Sequence, residues 1–511
     1  MRFHNTLTKS LEAFVPLKAG HVSMYNCGPT VYDSPHVGNF RTFAFADTLR
    51  RYLEYRGLKV TQVMNLTDVG HLTQDQVEAG GDKMEEGLRR LREKGVNVTD
   101  PYQVAEHYIG EFHAARKALN FLDAKDYPRA TAHVPEMIVM IARLLESGVA
   151  YRVGGNVYYD VSKFPAYGRL SGNTLESIKS GARIEPNPEK RHPADFALWK
   201  TDSNHLMQFD APWGRGFPGW HIECSAMSRK YLGDTFDVHT GGEDNIFPHH
   251  ECEIAQSEAF TGKPFVKTWI HARHLLWDEK KMSKSEGTFF SIQDLLDRGF
   301  SGQAIRYALV TTHYRQQVNY TIKSFEDASA SIDRLSEFHG RLLDLREKTG
   351  EGGDPLAEIG QRARDRFESV MDNDLNTSAG IAVLHEYVRD CNRALDSGGA
   401  SADSVIKAID VFTDFRRVFG QYQWKKLVSH PPEVTTGPST TITGQLSATL
   451  GDAVGHFVGV VIPPEINDLV SKREEARKRR DWKESDRLRD EIQNLGWTVK
   501  DTKDGSKLSK S

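Results

Sequence analysis

Between residues 21 and 66 the chain reads as a strand, a loop, a helix and a second strand, and that order restricts its possible folds more than any other feature. Val22, Met24 and Tyr25 mark an apolar strand, Cys27-Gly28-Pro29 turns the chain, and a helix rich in Phe, Ala and Leu follows Asn39. Residues 59–66, with Val60, Val63 and Met64, read as the next strand. Strands alternating with helices predict an α/β fold around a parallel sheet, with ligands bound beyond the strand C-termini. The segments from Cys27 to Asn39 and Asn65-Leu66-Thr67-Asp68 both fall at such ends.

The same rhythm returns later in the chain. Phe236-Asp237-Val238 reads as a strand, Gly241-Gly242 as a turn, a helix begins at Pro248, and His274-Leu275-Leu276-Trp277 leads into Lys281-Met282-Ser283-Lys284-Ser285. The intervening text holds a helical stretch over 135–146, strand-like Val157-Tyr158-Tyr159 and a loop-rich 183–193, so the sheet is split by an insert and expected to resume near Gln208. This gives an α/β domain over 1–120 and 206–275, an insertion at 121–205 and a segment at 276–324 that carries the Lys-Met-Ser-Lys-Ser loop. Amphipathic periods over 325–345, 354–370 and 378–395 predict an α-helical bundle within 325–425. Residues 426–462, rich in Pro, Thr, Ser and Gly, read as a linker, and 463–511 as a small C-terminal domain.

Composition excludes some function classes. Hydrophobic residues at 39% and charged residues at 27% are ordinary for a soluble globular protein and argue against wholesale disorder. No apolar run is long enough to span a bilayer, and residues 1–18 lack the apolar core of a signal peptide, so a cytoplasmic protein with no membrane partner is expected. Cys27, Cys224, Cys252 and Cys391 are scattered, which fits reduced thiols or metal ligation better than a disulfide framework. With a net charge of -4, a nucleic-acid surface has to be a local patch. Lys472 to Arg489, with nine Lys/Arg, five Asp/Glu and Trp482, reads equally as such a patch or as a solvated helix with i,i+4 charge pairs.

The motifs point to nucleotide chemistry. His36-Val37-Gly38-Asn39 opens a helix, where free backbone N–H groups and the helix dipole attract anions. Gly38, lacking Cβ, lets a flat adenine approach, while His36 and Asn39 can donate to phosphate oxygens that gain charge during reaction. Lys281 and Lys284 supply compact, mobile cations for an α-phosphoryl centre and departing pyrophosphate. A second copy, Lys507-Leu508-Ser509-Lys510-Ser511, lies in a polar terminus and reads as a solvated tail. His239-Thr240-Gly241-Gly242-Glu243-Asp244 offers a strand-end turn with a carboxylate, suited to ribose hydroxyls.

Two further strings, Trp220-His221-Ile222-Glu223-Cys224 and Pro248-His249-His250-Glu251-Cys252-Glu253, concentrate metal-ligand types for which zinc is the natural candidate. His249 and Glu253 share a helix face at i,i+4. Cys252, at i+3, is a rival. Spacing alone leaves a zinc site and satisfied buried His and Cys residues both open.

Taken together, these strings resemble the cysteinyl-tRNA synthetase family of class I aminoacyl-tRNA synthetases. The likeness runs in order through Cys27-Gly28-Pro29-Thr30-Val31-Tyr32-Asp33, His36-Val37-Gly38-Asn39, Gly219-Trp220-His221-Ile222-Glu223-Cys224-Ser225-Ala226-Met227, residues 247–256, Lys281 to Ser285 and Met371-Asp372-Asn373-Asp374-Leu375-Asn376-Thr377. It implies a Rossmann-type parallel-sheet catalytic domain with a connective insertion, a stem-contact segment at 276–324, a helical tRNA-binding bundle and a basic anticodon-binding end.

It also implies a two-step reaction, in which L-cysteine is activated by ATP and then carried to the 2′-hydroxyl of the terminal adenosine of cysteine tRNA. One Zn2+ per chain, at positions matching Cys27, Cys224, His249 and Glu253, would select the substrate thiol. Mg2+ is expected with ATP, and the chain is expected to act as a monomer. The amino acid would lie near Gly28, Thr67 and Trp220, and ATP near His36, Gly38, Asn39, Gly241, Gly242, Asp244 and Lys284.

Zinc discriminates by softness, since a bound thiol loses its proton whereas serine's hydroxyl is a poor ligand. A steric pocket rejects an isostere by about 10²-fold, whereas a lost specific bond yields roughly 10⁴ or more. Cys252 stands where the family often has Asn and is read as a neighbouring free cysteine, while His71, His221, His239 and His250 are candidates to orient the ligands. Asn39 departs from the general class I signature as the cysteine branch does, and Asp68-Val69-Gly70-His71 departs from the more acidic string of many relatives. A ligase joining cysteine to an amino sugar would share the site but lack the residues after Phe325. An inactive tRNA-binding protein would not need His36, Asn39, Lys281 and Lys284, and a zinc hydrolase is disfavoured because no His-Glu-x-x-His string is present.

Overall fold

The structure is a computed structural model that describes residues 1–69, 72–74, 79–177, 187–281, 289–348 and 352–421, together with 469, 472–473, 476, 479, 481–495, 497–502 and 505–510. It divides into two compact units, Met1–Lys426 and Leu427–Ser511. Among the described residues no helix is long and apolar enough to cross a membrane.

The first unit is organised by a four-stranded parallel sheet in the order Val266–Ala272, Phe236–Gly242, His21–Asn26 and Lys59–Met64. The two middle strands come from opposite sides of the insertion. Asp237 ties them at one end by accepting from the backbone N–H of Ser23 at 2.8 Å and from its hydroxyl at 2.6 Å. Phe236–Gly242 is buried along its whole length, as a central parallel strand covered on both faces must be. Between the edge strand and its neighbour in sequence runs the helix Val37–Tyr55, whose Phe40, Phe43, Ala44, Leu49 and Leu53 are buried in the core.

The insertion has its own core. The helix Val134–Glu146 packs its apolar face over an antiparallel sheet ordered Phe217–Pro218, Phe196–Lys200, Asn156–Tyr159 and Ala150–Val153. Because Phe217 pairs with Lys200 in that sheet, the parallel sheet takes up again at Phe236 rather than near Gln208. A helix, Trp220–Leu232, makes the transition between the two.

Helices Ile322–Lys348, Pro355–Met371, Thr377–Asp396 and Ala402–Val418 form the bundle. Its Phe338, Phe367, Phe412 and Phe415 belong to the same buried cluster as Val22, Phe40 and Leu49, so bundle and sheet share one core. Two polar joints reinforce this. Between the second and third bundle helices, Asp374 and Leu375 adopt left-handed backbone (φ 65° and 49°), and Asp374 accepts from the His4 backbone at 2.8 Å and from Arg315 Nε at 2.6 Å. At the far end, Asp47 lies between Arg51, whose Nε is 2.7 Å away, and Arg306, whose Nε donates to the Phe419 carbonyl at 2.6 Å.

In the second unit the helix Trp482–Asn494 carries Arg487–Glu491 at 2.9 Å and Arg487–Glu484 at 2.8 Å, the charge pairs expected of a solvated helix. Trp497–Thr502 and Gly505–Lys510 then pair antiparallel, Val499 opposite Leu508. That corrects the reading of the terminal Lys507 to Ser511 repeat as a solvated tail: Trp497-Thr498-Val499, rich in β-prone residues, supplies a partner strand. Ser511 itself, and the linker at 426–462, lie outside the described residues.

Candidate functional site

The C-terminal ends of all four parallel strands and the starts of the helices beside them surround a cavity of about 310 Å³. Cys27, Gly28, His36, Gly38, Asn39, Trp220, Cys224, Gly242, Asp244 and His249 all line it, although they are spread over more than two hundred positions. Tyr32, Thr42, Asn65, Lys83, Asn245 and His274 also face it. Of these, Tyr32 and Asn65 sit in strings that mark a strand end. Lys83, at the start of the helix Lys83–Glu93, has no motif to flag it; its ammonium stands 5.0 Å over the Tyr32 ring.

His36 is the N-cap of the helix Val37–Tyr55. The Asn39 backbone N–H donates to His36 Nδ1 at 3.4 Å, and the His36 N–H donates to Asn39 Oδ1 at 3.1 Å. This reciprocal cap uses both residues to satisfy orphan groups of the helix end. With Nδ1 accepting, the neutral ring carries its proton on Nε2, leaving a donor at the opposite side of the imidazole. Phe289 packs edge-on against the ring at 5.3 Å.

Gly28 is required sterically. A Cβ there would lie 1.8 Å from the Asn65 carbonyl oxygen, while its backbone N–H donates to Asn65 Oδ1 at 2.9 Å. Gly242 is held by Asn245, whose Oδ1 accepts its N–H at 2.9 Å. Gly241 and Thr67 are close by but do not line the cavity: a Cβ on Gly241 would meet His250 at 2.6 Å, and Thr67, buried, donates its hydroxyl to Glu223 Oε2 at 2.9 Å. Lys281 ends a short strand whose backbone pairs with Leu276, whereas Met282 to Thr288, Lys284 among them, lie outside the described residues.

At the floor, Cys27, Cys224, His249 and Glu253 offer ligand atoms all within 4.8 Å of one another, every one buried. Trp220, Cys224 and the helix they share place one thiol; the turn Ile246–His250 and the helix Glu251–Thr261 place the imidazole and the carboxylate. The sulfurs of Cys27 and Cys224 are 4.0 Å apart, too far for a disulfide and close to the edge, ~3.8 Å, of a tetrahedron with ~2.3 Å metal–sulfur bonds. Two thiols, an imidazole and a carboxylate are a donor set that zinc accepts.

A second grouping, Cys27, His239, His250 and Glu253, meets the same distance condition. In it His239 Nε2 is 3.0 Å from Glu253 Oε2 and His250 Nε2 is 3.2 Å from the Cys27 sulfur, while His250 Nδ1 is 2.7 Å from His271 Nε2. On the cavity side, His249 Nε2 faces Glu253 Oε1 at 3.0 Å while its Nδ1 faces His221 Nδ1 at 2.9 Å. Cys252 belongs to neither group; its sulfur is 3.5 Å from the Tyr167 hydroxyl. His71 lies outside the described residues.

Burial and neighbouring charge polarise this cluster. Burial opposes a charged His249, yet Glu253 and Cys224 overcome it and push the imidazole up to about 10. Burial likewise opposes a charged Glu253, but His239 and His249 bring it down to about 2. Burial, aided by the His239 charge, pushes His271 down to about 3, and burial also holds His250 well below the usual histidine range. Without an ion, Glu253 and His249 thus favour opposite charges, while His250 and His271 are held neutral.

Comparison with known proteins adds an independent line. A profile described as tRNA synthetases class I (C) catalytic domain matches residues 13–330, one described as DALR domain matches 366–423, and one described as cysteinyl-tRNA ligase anticodon binding domain matches 461–507. The cysteine–tRNA ligase of Symbiobacterium thermophilum is 42% identical over 514 residues, covering 99% of this chain and 98% of its own. That of Pelotomaculum thermopropionicum is 40% identical over 522 residues, covering 100% of each. Two solved structures of Mycobacterium tuberculosis methionyl-tRNA synthetase with methionyl-adenylate align with TM-scores of 0.53 and 0.55 at 13% and 14% identity, over 78% of this chain and 89% and 90% of theirs. Likeness at that identity concerns the fold alone.

Proposed function

The chain belongs to the cysteine–tRNA ligase family of class I aminoacyl-tRNA synthetases, and on that premise we propose that it couples L-cysteine to cysteine tRNA with ATP, selecting the substrate by its thiol. The observation that carries this reading is the buried quartet of Cys27, Cys224, His249 and Glu253 beside the cavity that the His36 helix start also lines. A soft-metal site and an anion-binding helix end within one small cavity suit a substrate with a thiol at one end and an activated carboxylate at the other.

In the first step a carboxylate oxygen of cysteine attacks the α-phosphorus of ATP, and the bond to pyrophosphate breaks. The helix end supplies its dipole, its Val37 and Asn39 N–H groups being already bonded to Phe290 and His36; the His36 Nε2–H and the Asn39 side-chain amide supply donors, and Lys281 and Lys284 follow the leaving charge. Asp244 and the Gly241-Gly242 turn receive the ribose, and Gly38 leaves room for adenine. In the second step the 2′-hydroxyl of the terminal adenosine attacks the carbonyl and AMP leaves. Gly28, Thr67 and Trp220 orient the cysteinyl group, with Thr67 itself fixed by Glu223.

Cys27, Cys224, His249 and Glu253 would hold one zinc, whose chemistry is to bind the substrate as thiolate and refuse serine's hydroxyl. This quartet is favoured over the grouping with His239 and His250 because Cys27, Cys224 and His249 line the cavity from which a thiol would arrive. His221, against Nδ1 of His249, and His239, against the second oxygen of Glu253, orient the ligands. Mg2+ with the triphosphate, a monomeric state and residence in the cytoplasm complete the proposal. Four free cysteines accord with a reducing compartment.

The test is ATP–pyrophosphate exchange without tRNA over a panel of amino acids, followed by transfer to cysteine tRNA. Exchange is expected with cysteine and not serine. Exchange driven by another amino acid would refute the specificity, and exchange without transfer would refute the tRNA assignment.

A further inference from the structure

We propose that Tyr25 is a positioning residue for the metal site, its hydroxyl donating a hydrogen bond to the Cys224 sulfur when the ion is held; the inference rests on the zinc reading above. Tyr25 stands two residues before Cys27, and the strand's pairing continues through the Cys27 N–H to the Thr240 carbonyl at 3.2 Å. With the two-residue period of a strand, both side chains leave the same face of the sheet. On that face the helix Trp220–Leu232 packs and presents Cys224, and Tyr25, Cys27 and Cys224 share one buried cluster with Phe236, Ile254 and Trp269.

The ring has little freedom. It sits edge-on to His239 at 5.2 Å and 6.2 Å from Phe236. Its hydroxyl is sealed from solvent without a hydrogen-bond acceptor in ordinary geometry, inside the buried cluster that also holds Cys27 and Cys224. Buried hydroxyls are rarely left unpaired. Glu253 is already engaged by His239 and His249, and the Cys27 sulfur lies 3.2 Å from His250 Nε2. Cys224, in the same buried cluster and with its sulfur 4.0 Å from that of Cys27, is the acceptor we assign, and it becomes a good one once its sulfur is a thiolate.

Such a bond would draw charge from one of two thiolates, fix its direction, and leave the ion a stronger acceptor for a third sulfur from the substrate. Tyr25 would then act on thiol selection from behind the ligands, without touching substrate.

Tyr25→Phe removes only the hydroxyl oxygen and keeps the ring. Zinc affinity is measured by competition with a chelating dye, and the thiolate-to-metal charge-transfer band is recorded in cobalt-substituted protein. The variant is expected to bind zinc about tenfold more weakly and to show the band at longer wavelength. Tyr167→Phe, which removes the hydroxyl beside Cys252, is expected to change neither. An unshifted band in Tyr25→Phe overturns the proposal while the zinc reading stands, provided the wild type carries its one zinc. A wild type that binds no zinc overturns the zinc reading and this inference together.

Discussion

Replacing Asp47 by Asn tests how the catalytic body is joined to the bundle. Asp47 is 3% exposed and faces two cations, Arg51 at 2.7 Å and the fully buried Arg306. Burial works against its charge, but Arg306 and Arg51 hold it below the usual carboxylate range. Arg306 is itself lowered to about 10, burial outweighing the attraction of Asp47. The two shifts point in opposite directions for stability: the carboxylate is well compensated, the guanidinium is not.

The network as a whole therefore stabilises little, while breaking it leaves two buried guanidinium groups facing each other without a counter-charge. Loss of one partner from such a pair costs about 3–5 kcal/mol. Against a typical total of about 5–15 kcal/mol, that is a large share. The assay is urea unfolding followed by far-ultraviolet circular dichroism, with Arg306→Met and the double variant Asp47→Leu/Arg306→Met measured beside Asp47→Asn. The double variant is expected to be clearly more stable than Asp47→Asn, since no buried charge is stranded at Arg306. Because Arg306 also grips the Phe419 carbonyl at the end of the bundle, tRNA charging is expected to fall more than exchange. A cost under about 1 kcal/mol for Asp47→Asn, or a double variant no better than the single, would refute the reasoning.

Other outcomes follow from the same geometry. Zinc content, by atomic absorption, is expected to be lost in Cys224→Ala and His249→Ala and retained in Cys252→Ala; equal loss from Cys252→Ala would overturn the ligand choice. Gly28→Ala drives a Cβ into the Asn65 carbonyl at 1.8 Å, and since a misplacement of this kind can cost about 10²-fold, exchange should fall by that order in a protein that still folds. The folded-state value of Asp47 is depressed, so its contribution is complete above its unfolded value of about 4 and disappears as pH falls through the lower folded value. Wild type is accordingly expected to lose its stability advantage over Asp47→Asn below about pH 4, measured by urea midpoints across pH.

What the sequence reveals depends on how local the information is. The strand, turn and helix around Cys27 to Asn39 are encoded by neighbouring residues, and they stand where expected. The placement of Phe236–Gly242 against His21–Asn26 is not, because parallel pairing joins segments more than two hundred residues apart with no local signal. The same holds for the floor of the cavity. His249 and Glu253 announce a shared helix face, but that Cys252 turns to Tyr167, and that His271 closes the histidine cluster behind His250, are facts of packing. Family resemblance supplied what spacing left open. Lys83 shows the limit: a cation facing the cavity at the start of an ordinary amphipathic helix whose Met84, Leu88 and Leu91 are buried.

On the proposed function, the reciprocal cap between His36 and Asn39 would make the start of one helix both a joint and a reagent. Serine or aspartate at position 36 would cap that helix at least as well, yet would remove the imidazole donor that the cap holds toward the cavity. On that proposal, stability and reactivity would draw on the same two side chains. The cap fixes both side chains through the helix backbone, so a nucleotide bound there as proposed would need to spend little free energy on arranging them.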